Sequence, residues 1–160
     1  MKLIKYFFQF LFIILILIIF KIIGLKLSRV LASNFFSIVG PFFRSKKVIE
    51  KNISFAFSSN SKKFTKDITD KMWKSYGKIL AEYAFIKNFR EEESEKFLEI
   101  KGQEILEKIK FSKEPVIFIS GHFDNFELMA MHIEKSGVDL AAIYRPLNNN
   151  FLNPVMENIR

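Results

Sequence analysis

Fifteen consecutive uncharged residues, Tyr6 to Phe20 (YFFQFLFIILILIIF), leave this chain few options. A helix built from them carries Ile, Leu or Phe on every face, and such a helix must be buried in a core or in a membrane. Lys21 interrupts the run, and Ile22, Ile23, Gly24 and Leu25 extend it. A span needs about 20 apolar residues. With Lys21 snorkelling to the interface, Leu3 to Leu25 reaches that length. Residues 1–25 are therefore expected to anchor the chain at a membrane, as a span or as a deep monotopic helix. Two other uses of the run compete with this one. A cleaved signal peptide would use Val30-Leu31-Ala32 as its cleavage site, but Lys21, Lys26 and Arg29 lie between that site and the apolar run and make a poor c-region. A buried core helix would need cover on all sides from a small domain.

The charge distribution supports a membrane partner. The formal net charge is +8, and Met1 to Ile49 holds eight Lys and Arg with no Asp or Glu. From Glu50 onward, basic and acidic residues number 17 each, so the remainder is neutral. Nucleic-acid binding would spread cations over a folded surface, and none is expected here. A juxtamembrane cluster instead suits anionic headgroups, at roughly 1 kcal/mol per cation near the surface. The heavier flank (Lys21, Lys26, Arg29, Arg44, Lys46, Lys47) predicts that the part behind the anchor faces the cytoplasm. The chain has no cysteine, which excludes disulfides, thiolate metal sites and a cysteine nucleophile. Its two histidines lie ten apart, so no zinc site is expected either.

Residues 26–45 mix apolar and basic side chains around a Gly40-Pro41 break and are expected to lie along the membrane surface. Ile49, Ile53, Ala56 and Phe57 fall at helical spacing and predict a helix over Lys46 to Phe57. Ser58 to Ser61 reads as a polar loop. Ile68, Met72, Tyr76, Ile79, Leu80 and Tyr83 predict a longer amphipathic helix over Lys63 to Ile86. Arg90 to Glu95 reads as a charged connector, Phe97 to Ile100 as a short extended piece and Gln103 to Lys110 as a helix. The pattern then changes. Val116-Ile117-Phe118-Ile119-Ser120 is a short β-branched apolar run after Pro115 and reads as a buried strand. Asp124 to Lys135 reads as a helix stopped by Gly137, and Val138 to Tyr144 as a second strand. Strand, helix and strand make a βαβ unit with parallel strands, so the expected class is α/β: a membrane helix, then amphipathic helices and a partial sheet.

In that topology His122 sits just past the C-terminal end of a strand, where open α/β sheets bind ligands. His and Glu five apart would diverge by about 140° on a continuous helix. His122 and Glu127 converge only if the first is in the turn and the second in the first helical turn. An imidazole bonded to a carboxylate can take a proton from an alcohol, which then attacks a thioester without an enzyme nucleophile. The competing reading is structural: Asp124-x-x-Glu127 matches a capping box, with Asp124 as cap and Glu127 at the third position. His132, inside the helix, reads as structural. Tyr144-Arg145-Pro146 follows the second strand at the same edge, where the Arg145 fork suits a phosphate or carboxylate or makes an ordinary surface ion pair.

These residues resemble a known family. Ile119-Ser120-Gly121-His122-Phe123-Asp124-Asn125-Phe126-Glu127 is similar to the H-x4-E motif of the late acyltransferases of lipid A biosynthesis, the lauroyl/myristoyl transferases, where it resembles S-G-H-F-G-N-W-E. Ile143-Tyr144-Arg145-Pro146-Leu147-Asn148-Asn149, with Arg160 later, resembles a second block, Y-R-P-x-x-N. Arg44, Asn52, Phe57, Trp73, Gly77 and Glu82 also stand in the family's order. The resemblance implies an acyltransferase at the cytoplasmic face of the inner membrane. It would move a fatty acyl chain from acyl carrier protein to a hydroxyl of a lipid A precursor, with no other cofactor. It implies His122 as general base, Glu127 as its partner, and Arg145, Asn125 and Tyr144 as substrate-binding residues in an acyltransferase domain over 46–160. Asp124 stands where the family has Gly, Phe126 where it has Trp, and Asn150 and Asn153 where it has Pro and Asp. Family members are longer, so residues 46–160 are expected to be a partial domain, truncated or one half of a split enzyme. Two alternatives stay open: a glycerolipid acyltransferase of the lysophosphatidic acid type, which carries a similar H-x4-D, and an inactive membrane-bound remnant.

Overall fold

The computed structural model describes residues 2–57, 61–91 and 98–159. Their regular secondary structure is helical. The helices are α1 (Lys2–Ile23), α2 (Leu25–Val39), a 3-10 turn (Gly40–Phe42), α3 (Lys46–Ala56), α4 (Lys62–Tyr83), α5 (Ile86–Arg90), α6 (Gln103–Ser112), α7 (Glu127–Lys135) and α8 (Asn153–Ile159). The chain divides into two compact units, one of residues 1–18 with 85–160 and the other of residues 19–84.

The expected α/β class is overturned. Among the described residues there is no strand, and both segments read as strands, 116–120 and 138–144, are neither helical nor paired in a ladder. Val116, Ile117 and Ile119 make the first segment a weak helix former; the second, with Leu140, Ala141 and Ala142, has no such local reason. A parallel pair also needs both faces covered and further strands beside it. Neither condition is met here, and Ile117 and Ile119 are 87% and 93% exposed. No βαβ unit forms.

The helical expectations fare better. α1 is long and apolar enough to cross a membrane, and only 6% of its apolar window is buried. That low burial removes the core-helix alternative within the described residues. The helix stops at Ile23 rather than running to Leu25, because Gly24 adopts φ +81°, a region open to glycine at little cost. The Ser28 hydroxyl spans this joint, donating to the Phe20 carbonyl at 3.0 Å and the Gly24 carbonyl at 2.7 Å. Pro41 sits inside the 3-10 turn, where the Gly40-Pro41 break was expected. α3, α4 and α6 follow the predicted ranges to within a few residues, and the Ser61 side chain caps α4 by accepting from the Phe64 amide at 3.1 Å. The expected loop at 58–61 lies outside the described residues but for Ser61. So do positions 92–95 of the charged connector and residue 97 of the extended piece.

In the unit of residues 19–84, α2 packs along α4. Trp73, Gly77 and Ala81 recur every four residues on α4, so they share one face, and all three are buried. The Trp73 ring lies on Gly40, where a Cβ would meet ring carbons at 2.3 Å. Gly77 lies against the α2 backbone, where a Cβ would meet the Ala32 carbonyl oxygen at 2.2 Å. Arg29 Nε of α2 pairs with Glu82 Oε1 at 3.1 Å, and the Glu82 side chain is nearly buried. Trp73, Gly77 and Glu82, noted above only for their order, are thus the seam that holds α4 to α2. Ile49 and Ile53 of α3 close a small core with Trp73, backed by Phe36, Ile68 and Met72.

In the unit of residues 1–18 and 85–160, α5 packs on α7. Buried Ile86, Phe89, Met131 and Ile133 come from these two helices. Arg90 ends α5 and donates from Nη1 to Glu134 Oε2 at 2.6 Å. His132 has the structural role expected of it: Nε2 lies 2.8 Å from Gln103 Oε1 of α6. Gly137 takes φ +79° just past α7, as its position after the helix predicts.

Candidate active site

The H-x4-E segment lies in the second of these units. Gly121 to Phe123 are non-helical, 124–126 form a turn, and Glu127 is the first residue of α7. Glu127 thus opens the helix as expected, whereas His122 lies ahead of the turn in a non-helical stretch, and no strand precedes it among the described residues. The His122 ring packs on Phe126 with centroids 4.2 Å apart and planes at 57°. His122 makes no hydrogen bond to Glu127 among the described residues, and its side chain is open to solvent. An open, apolar-backed imidazole has its nitrogens available to an incoming hydroxyl.

The helix does not begin where the capping-box reading placed it. Phe126 holds the cap position of α7, and the helix begins at Glu127 rather than Asp124. Asp124 instead adopts φ +41°, a left-handed conformation that Asp tolerates better than most residues and Gly best of all. This explains why a glycine at this place is natural in the resembling motif: the chain must reverse here between His122 and α7. Asn125 is buried beside the turn.

The Y-R-P segment forms a pinned loop. The Tyr144 hydroxyl donates to Glu157 Oε1 of α8. The Asn153 amide donates to the same oxygen at 2.9 Å, and Asn153 Oδ1 accepts from the Leu147 amide at 2.9 Å. Arg145 is exposed between the two pins at Tyr144 and Leu147. An Asp at 153 could not donate to Glu157, so the Asn that departs from the family pattern supplies what this carboxylate needs.

Asn149 ends the loop and is buried. Its Oδ1 accepts from the Phe151 amide at 3.0 Å and the Leu152 amide at 3.3 Å, and its Nδ2 donates to the Tyr6 carbonyl of α1 at 2.9 Å. The Phe151 ring meets Phe7 and Phe10 at 5.6 and 6.0 Å. Sequence reasoning gave Asn149, Asn153 and Glu157 no role. The Asn two residues before an amide it can bond is an Asx-turn signal that would have found the first. Asn149→Ala is expected to cost roughly 1–3 kcal/mol by stranding buried groups. Hydrogen exchange at the Phe151 and Leu152 amides should speed up; unchanged exchange would show that Asn149 is not their partner.

A family model described as bacterial lipid A biosynthesis acyltransferase matches residues 1–160. No curated protein and no solved structure matches the chain.

Proposed function

Because the chain belongs to the bacterial lipid A biosynthesis acyltransferases, an enzyme family whose substrate is a lipid A precursor, we propose that it moves a fatty acyl chain from acyl carrier protein to a hydroxyl of that precursor, with His122 as general base. His122 removes the hydroxyl proton as the oxygen attacks the thioester carbonyl carbon. The carbon–sulfur bond breaks, and the imidazolium returns the proton to the leaving thiolate. Glu127 steadies the imidazolium. Arg145, with Asn125 and Tyr144, binds the polar part of the substrates through its fork. α1 holds the protein at the inner membrane with the remainder on the cytoplasmic side, a reading supported by the cation excess behind the apolar run.

The observation that carries this reading is the family match over residues 1–160, with an open His122 five residues before the Glu127 that starts α7. The test is product mass after incubating the full chain with acyl-acyl carrier protein and either a glucosamine-based lipid acceptor or lysophosphatidic acid. An acylated glucosamine lipid is expected. Acylation of lysophosphatidic acid alone would make the protein a glycerolipid acyltransferase, and no product with either acceptor would make it a non-catalytic membrane protein.

A further inference from the structure

α2 is built inside out for a helix in water. The positions it buries fully are small: Ser28 is 0% exposed, and Ala32 and Ser33 are also buried, with Phe36 the one large residue packed part way on the Trp73 core. Its outward side carries Leu27, Val30, Leu31, Phe35 and Ile38, all exposed, and the 3-10 turn that follows adds Phe42 at 86% and Phe43 at 76%. At 3.6 residues per turn, Leu27, Val30, Leu31 and Ile38 share one face, with Phe35 at its edge and Asn34 as the polar interruption. Small residues at the helix contact and large apolar ones outside is the pattern of helices packed in lipid, where close backbone approach replaces the hydrophobic drive. The Gly77 contact with the Ala32 carbonyl is such an approach. A contiguous apolar face of this kind marks a surface that meets something other than water.

We propose that the outward face of α2 and the Phe42-Phe43 pair are embedded in the interfacial layer of a bilayer carrying anionic lipids. Charge selects this partner. Arg44, Lys46 and Lys47 directly follow the two phenylalanines, Lys26 starts the face, and no Asp or Glu occurs before Glu50. Phenylalanines at the acyl boundary with cations one to four residues on place each group at its own depth. α2 also follows the apolar α1 after a single residue, Gly24, so the face starts next to a segment that already seeks lipid.

The chain has no cysteine, so single Ile38→Cys, Phe42→Cys and Lys66→Cys variants of the full chain can each carry one nitroxide. They would be reconstituted in vesicles of phosphatidylethanolamine with phosphatidylglycerol. Labels at 38 and 42 are expected to collide with dissolved oxygen and to be shielded from a water-soluble nickel chelate, and the label at 66 the reverse. Replacing phosphatidylglycerol with phosphatidylcholine should raise chelate access at 42. Free chelate access at 38 and 42 overturns the proposal. Dipolar broadening between labels does too, since it would seat a second copy on this face. Unchanged access at 42 without anionic lipid removes the charge contribution.

Discussion

His122→Ala should lose acyl transfer by about 10²- to 10⁴-fold, the range that a positioned general base contributes. The acceptor hydroxyl is a poor nucleophile while it keeps its proton. With the imidazole gone, only water can take that proton, and the tetrahedral step slows accordingly. His122 is open to solvent and its one ring contact among the described residues is with Phe126, so its removal should leave the helices intact. Membrane sedimentation and the far-ultraviolet circular dichroism of the variant should therefore match the parent. On the proposed mechanism Glu127→Gln should lose less, because the imidazole stays while the charge assigned to steady its cation is gone. A His122→Ala protein that transfers at the parental rate would end the assignment.

The second large effect falls on stability, at Gly77. A Cβ there would lie 2.2 Å from the Ala32 oxygen, 2.5 Å from its carbonyl carbon and 2.7 Å from the Ser33 nitrogen. All three are backbone atoms inside a helix, so no side chain can rotate away. α2 and α4 would have to move apart, opening the Trp73–Gly40 contact and lengthening the Arg29–Glu82 pair. Overpacking of this kind costs about 1–3 kcal/mol. The better helix propensity of alanine returns roughly 1 kcal/mol at most. Gly77→Ala should still be destabilised, and Gly77→Val more so, as a fall in the urea midpoint measured in detergent. A Gly77→Ala protein as stable as the parent would mean that the two helices do not approach this closely.

The legible and illegible parts of the fold separate by range. The courses of α3, α4 and α6, the Gly40-Pro41 break and the stop at Gly137 were readable because each depends on side chains within a turn or two, although α4 ends at Tyr83 and Ile86 opens α5. The start of α7 was not. Asp124 and Glu127 carry the capping pattern, yet Asp124 is used to reverse the chain and Phe126 takes the cap position. The strands failed for a different reason. Their composition suits a sheet, but a sheet is a property of neighbours, and apolar residues without a ladder beside them form no strand.

For the site, residue identity and tertiary placement again did different work. The apolar run of α1, the cations behind it and the His122–Glu127 and Tyr144-Arg145-Pro146 motifs were determined by the sequence alone, because their chemistry belongs to the side chains themselves. Tertiary structure decided that Trp73, Gly77 and Glu82 form a seam with α2, that Asn149 ties the arginine loop to the Tyr6 carbonyl, and that Leu27, Leu31 and Ile38 of α2 point outward. Those outcomes depend on which backbone comes within a few ångströms of which other, and no local pattern encodes that distance.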